Sequence, residues 1–294
     1  SGREPSIQSG SASSNTDTVV SLINSELRSA WNENGLRPAL HASDAQWCRR
    51  VYLDLLGRIP TVQELDNFRA GKSRGKRRQL VQRLLGSEYV DDFSRYWTAI
   101  WTNTLIGRTG GQEGRSLINR PAMQEYVEQA LLNDKPYDQL ASELISAEGS
   151  TDPLGEDFNG AANFLVEKLA EGGIQATAKT AEIFLGTAVQ CTQCHNHPFN
   201  EYRQNQFWEL NAFFRQARVQ RLPHPEMENR SLGKIVNFDF AGEGRSLYRD
   251  DRSEIVLTTR NGQLVDRDAV QLSEAPIYYE LRNGQLQVAY PVFV

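Results

Sequence analysis

The chain has no stretch approaching the roughly 20 apolar residues of a membrane span, so no transmembrane helix is expected. It also lacks a basic excess. A net charge of −5 argues against a surface built for nucleic-acid phosphates, and no nucleic-acid partner is expected. G-x-S-x-G and H-E-x-x-H are both missing, which removes the nucleophile elbow and the zincin helix. Gly71-Lys72-Ser73 has the look of a phosphate-loop end, but Asp66 stands where the first glycine is required. Gly107, Gly110, Gly111 and Gly114 follow no strand, so they mark a connection between helices rather than a dinucleotide loop. The Ser- and Gly-rich start, residues 1–15, contains no apolar run that could serve as a signal peptide and reads as a flexible lead-in. At the other end the chain stops on Pro291-Val-Phe-Val, strand-like residues with no polar tail, as expected of a piece of a longer protein.

What is present is ordinary in bulk. Hydrophobic residues make up 39% and charged residues 23%, a balance that suits a soluble chain of one large domain or two smaller ones. Residues 16–220 carry the punctuation of consecutive helices. Ser43 with Gln46 and Thr61 with Glu64 are capping boxes, and Gly57 and Gly71 fall where helix ends are expected. The first box opens a helix from Ala45 to Leu56, with Trp47, Cys48, Val51, Tyr52 and Leu55 at helical spacing, so Cys48 reads as a buried thiol. Further helices are expected over 17–31, 75–85, 88–104, 121–133, 137–147, 160–170, 174–190 and 203–216. Trp97 and Trp101, four apart, read as core, and the run Lys72 to Arg78 as a solvated loop and helix start.

From 221 to 294 the signals become β-rich. Ile235 to Phe240, Glu254 to Thr259 and Ile277 to Leu281 are rich in β-branched and aromatic residues. Arg-Asn-Gly-Gln-Leu occurs at 260–264 and again at 282–286, and each Asn-Gly predicts a type I′ hairpin. The expected fold is therefore mainly α: a multi-helix body with a small C-terminal antiparallel β portion.

Residues with soft or imidazole ligands are rare, with three cysteines, two methionines and four histidines in 294 positions. Four of these nine fall within seven residues, Cys191-Thr-Gln-Cys194-His195-Asn-His197, followed by Pro198-Phe199. C-x-x-C-H is the attachment signature of haem c, in which two thiols bond to the porphyrin and the histidine binds iron. Upstream, Ile174, Ala178, Ala181, Phe184, Leu185 and Ala188 keep helical spacing, so a helix is expected to run into the motif. At about 100° per residue it would place Cys191, Cys194 and His195 on one face. Pro198 disfavours helix at His197, which would then project from a turn.

Covalent haem accounts for Cys191, Cys194 and His195 with no residue left over. Zinc or another transition metal could use Cys191, Cys194 and His195 or His197, but needs a fourth ligand from His224, His41, a carboxylate or water. A disulfide of thioredoxin type fits less well, because no βαβ pattern surrounds the pair. The plainest alternative is two buried cysteines with capping histidines, which the clustering of such rare residues opposes. With haem, His195 is the proximal ligand, and Met123, Met227, His41, His197 and His224 are candidates for the second axial position. His197, two residues from His195, reads better as a support for the loop or for a haem propionate.

Three segments together resemble a known family: Trp47-Cys-Arg-Arg-Val-Tyr-Leu-Asp-Leu-Leu-Gly-Arg-Ile-Pro-Thr-Val-Gln-Glu-Leu, Leu80-Val-Gln-Arg-Leu-Leu-Gly-Ser-Glu-Tyr, and Val189-Gln-Cys-Thr-Gln-Cys-His-Asn-His-Pro-Phe. They are similar to the planctomycete cytochrome-C-like domain family, catalogued as a domain of unknown function. The family's C-x-x-C-H-x-H-P-F element maps onto Cys191, Cys194, His195, His197, Pro198 and Phe199. Asn196 stands where Asp is expected in many relatives, a departure that leaves the ligating atoms untouched. The resemblance implies an exported protein of the bacterial periplasm or cell envelope, usually with a further domain after this one. Its partner would be that domain or a redox protein. Electron transfer or redox sensing through haem is the function it implies; a zinc-stabilised assembly module, or an enzyme with an open metal position, is the alternative.

Overall fold

Capping decides where the first helices begin. The computed structural model describes residues 12–224, 230–237, 277–281 and 283–291, in two compact units, one of residues 1–54 and 58–80, the other of 55–57 and 81–294. In the first unit, α1 (Ala12–Glu33) is followed by α2 (Asp44–Leu56), α3 (Val62–Ala70) and the start of α4 (Lys76–Leu84). Ahead of α2, the Ser43 N–H donates to Gln46 Oε1 at 3.0 Å and the Gln46 N–H to Ser43 Oγ at 3.4 Å. Thr61 and Glu64 repeat the exchange at α3, with 2.6 and 3.2 Å, so both expected boxes are formed. Gly57, directly after α2, takes φ +68, a conformation that favours a residue without Cβ.

Cys48 and Tyr52 are fully buried on α2, as the apolar stripe predicts. The basic run is half anchored: Lys76 Nζ lies 2.6 Å and Arg77 Nη2 3.1 Å from the carboxylate of Asp44. These two cations hold that carboxyl below its usual range. Lys72, Arg74 and Arg78 are exposed, in keeping with a solvated loop.

The second unit is mainly helical. It contains α5 (Val90–Ile106), α6 (Arg120–Leu132), α7 (Tyr137–Ile145), α8 (Ala170–Phe184) and α9 (Gln204–Phe214). Its core gathers Leu105, Met123, Val127, Leu144, Phe164, Val166 and Ala176, with Trp101 packed against it. The helix expected over 160–170 is a short 3-10 turn, Gly160–Phe164, with Asn159 Oδ1 capping the Ala161 N–H at 3.0 Å. A run of three left-handed residues, Glu171 (φ 53), Gly172 (φ 72) and Gly173 (φ 74), separates it from the regular part of α8. The Gly172-Gly173 pair makes that reversal sterically accessible.

Two small antiparallel sheets lie among the described residues of the unit. β1 (Gly149–Ser150) and β2 (Ala217–Pro223) flank β3 (Ser231–Asn237), in the order β1-β3-β2. The change from helices to strands thus begins at Ala217, four residues before the expected position. β4 (Ile277–Glu280) and β5 (Leu286–Ala289) form a hairpin whose Ile277, Tyr279 and Ala289 pack with Ala212 of α9. The hairpin forms at Asn283-Gly284, but not through a type I′ turn. Gly284 N–H donates to Leu281 O and Leu281 N–H to Gln285 O, and Gly284 takes positive φ (+83). This is the three-residue loop with a glycine bulge. The strand expected over 254–259 and the Asn-Gly of 260–264 lie outside the described residues, as does the end of the 235–240 strand.

Candidate functional site

The Cys/His cluster sits on a turn, not on the end of a helix. α8 stops at Phe184 because Gly186 adopts φ +65 and the Thr187 N–H reaches back to Ala181 O at 3.0 Å. Glycine takes that left-handed conformation without steric cost, and the Thr187 return across it closes the last turn. The expectation of a helix running to 190 is corrected accordingly.

A 3-10 turn, Gln190–Gln193, follows. Thr192 is its inward peg: it is buried, and both its N–H and its hydroxyl donate to Val189 O, at 2.9 and 2.6 Å. Cys191 and Cys194 are exposed, unbridged thiols, and Cys194 N–H approaches Cys191 O at 3.5 Å. With three residues per turn, positions i and i+3 eclipse, so the thiols share a side more closely than an α-helix would allow. His195 lies beyond the turn, so the single helical face expected for all three residues is not what aligns them.

The imidazole of His195 is oriented locally. Its Nδ1 is 2.6 Å from Asn196 O, which leaves Nε2 unengaged. His197 plays a different part: its N–H donates to Tyr202 O at 2.8 Å, and its Nδ1 accepts from the Phe199 N–H at 3.2 Å. This knots the chain around Pro198. Phe199 itself is 92% exposed, and Leu185 and Tyr202 also present apolar surface beside the turn.

Helix α9 holds the turn from behind. Gln204 Nε2 and Trp208 Nε1 both donate to Gln193 O at 3.2 Å, and the Gln204 N–H donates to Asn196 Oδ1 at 3.0 Å. Gln204 Nε2 also reaches Glu280 O on β4 at 3.4 Å, and Trp208 stacks on Tyr279 with centroids 5.6 Å apart. Sequence reading missed Gln204 and Trp208, whose roles depend on contacts with residues 8 to 76 positions away. Alongside runs an open groove of about 920 Å³ lined by Asn196, Asn200, Glu201, Tyr202, Arg203 and Gln206.

The other candidate ligands are scattered. Met123 is fully buried in the main core, and the His224 N–H pairs with Arg230 O after β2. His41 belongs to the first unit, and Met227 lies outside the described residues. Among the described residues, no three His, Cys, Asp or Glu side chains converge closely enough to hold a metal ion.

Two strongly perturbed groups serve packing instead. Burial pushes the Lys168 ammonium down to about 8, while its Nζ donates to Leu105 O and Phe164 O, each at 2.7 Å. Burial and the Glu143 carboxylate raise the Tyr126 phenol.

The architecture defines a mainly helical protein with a small β portion and an exposed C-x-x-C-H turn, and no helix among the described residues is long and apolar enough to cross a membrane. The family model for PSCyt2, protein of unknown function (DUF1549), matches residues 22–219, and the chain belongs to that family. The matched region includes the whole cluster. Comparison with curated proteins and with solved structures gives no match.

Proposed function

We propose that the chain carries one covalent haem c through Cys191 and Cys194, with His195 as proximal ligand, for electron transfer or redox sensing. The observation that carries this reading is the exposure of two unbridged thiols one 3-10 turn apart, with the oriented His195 imidazole directly after them in the chain. Its Nδ1 is tied to Asn196 O at 2.6 Å, so Nε2 remains for a metal. A backbone carbonyl on the second ring nitrogen is how metal-binding histidines are commonly held in one tautomer. The donor set fits the group in kind: two thiols for thioether bonds and one imidazole. Haem would supply one-electron chemistry when bound. The protein's own part is to hold the turn rigid through Thr192, Gln204 and Trp208, and to flank it with the apolar side chains of Leu185 and Phe199.

Export to the periplasm or cell envelope, and a redox protein or an attached domain as partner, belong to the same proposal. A zinc site on Cys191, Cys194 and His197 is supported less well, since His197 Nδ1 accepts from the Phe199 N–H and the proton of the neutral ring then sits on Nε2. Expression with a haem-maturation apparatus, followed by denaturation and a visible spectrum, tests the reading. Colour that stays with the polypeptide is expected; a colourless chain with stoichiometric zinc overturns it.

A further inference from the structure

The groove beside the cluster is lined by polar side chains whose free valences are mostly of one kind. Three of its amides have their oxygens committed to backbone N–H groups. Asn196 Oδ1 accepts from Gln204 at 3.0 Å, Asn200 Oδ1 from Tyr202 at 3.0 Å, and Gln206 Oε1 from Arg203 at 2.8 Å. Each pinned oxygen fixes which end of the amide is left over, namely an NH₂ group with two donors. Arg203 adds a guanidinium, exposed and without an ion pair among the described residues. Such a set of donors with one cation is complementary to a carboxylate. Glu201 is the opposing charge on the lining.

The cluster and the groove also differ in polarity. Leu185 and Phe199 lie on the chain flanking the thiols, 66% and 92% exposed, whereas the groove's lining is polar apart from the Tyr202 ring. Haem has the same division, with vinyl groups at one edge and two propionates at the other. Resting on the haem reading above, we propose that the groove formed by Asn196, Asn200, Arg203 and Gln206 seats the haem propionates. In this assignment Arg203 and the amides are positioning residues for the cofactor, and Glu201 weakens the seat by like-charge repulsion.

The test separates the seat from the covalent bond. In a Cys191→Ser, Cys194→Ser chain, ferric haem and its dimethyl ester are titrated in parallel by their Soret bands. The free acid is expected to bind about tenfold more tightly than the ester, as one charge-assisted hydrogen bond would give. Arg203→Leu should erase that preference without weakening the ester, and Glu201→Gln should enlarge it. Equal affinity for acid and ester, or no binding of either by a variant whose wild-type parent carries covalent haem, overturns the seat and leaves the haem reading standing. A wild-type chain that emerges colourless from a haem-maturing host overturns both.

Discussion

At the residue scale, the histidines of the cluster divide their labour. His195 donates Nδ1–H to a backbone carbonyl, which leaves Nε2 with its lone pair, while His197 accepts a backbone N–H at Nδ1, which leaves the proton on Nε2. On the proposed haem reading, His195→Ala should keep the thioether attachment but shift the Soret and visible bands of the native spectrum. His197→Ala should leave those bands in place and loosen the loop. Spectra of the two matured variants decide the matter. Glu64 is a second residue with a measurable signature. Hydrogen bonds from the Arg58 guanidinium, at 2.9 and 3.0 Å, outweigh burial and bring its carboxyl from 4.5 to about 2. A carboxyl depressed on folding stabilises the fold above its unfolded pKa, and that contribution is lost as pH falls through the folded one. Glu64→Gln should cost about 1 kcal/mol at pH 7 through the lost ion pair with Arg58, with the gap to wild type closing between pH 4.5 and 2 in urea titrations.

At the scale of elements, glycine governs the outcome more than apolar periodicity does. The apolar spacing from Ile174 to Ala188 is genuine, yet Gly186 ends the helix because its left-handed conformation lets Thr187 close on Ala181. The glycine was visible in the sequence and should have outweighed the stripe. Capping boxes at Ser43 and Thr61 were legible because every participating atom lies within four residues. β1 was not, since Gly149 and Ser150 pair with Ile235 and Lys234, far along the chain, and no local pattern announces a two-residue strand. Within the site, the ligating residues could be read from spacing, whereas Thr192, Gln204 and Trp208 could not. The left-handed run before α8 carries its own test. A Cβ on Gly173 would lie 2.9 Å from Phe214 Cβ, at φ +74. Gly173→Ala should lower the unfolding free energy by about 2 kcal/mol, read as a fall in the urea midpoint at constant slope.

At the scale of the molecule, charge and core are unevenly shared. Residues 1–80 hold 12 lysines and arginines against 8 carboxylates, while the remainder holds 20 against 29. The large hydrophobic cluster belongs to the second unit, and on α1 the apolar residues Val19, Val20, Ile23 and Leu27 are about half exposed. Opening free energies follow the density of buried contacts. Amide exchange measured across a denaturant series should find α1 to α3 losing protection at lower denaturant than α6 and α8. A single common opening energy for all of them would refute this.

Trp208 donates its indole N–H to the carbonyl of Gln193, the residue immediately before Cys194. An indole held that close to the attachment turn is an optical gauge. A porphyrin bound there absorbs where tryptophan emits, so its arrival would darken Trp208, one of the chain's five tryptophans, and Trp208→Phe would remove that part of the quenching. The occupancy of the turn is then readable in a fluorimeter, at concentrations far below those an absorbance spectrum requires.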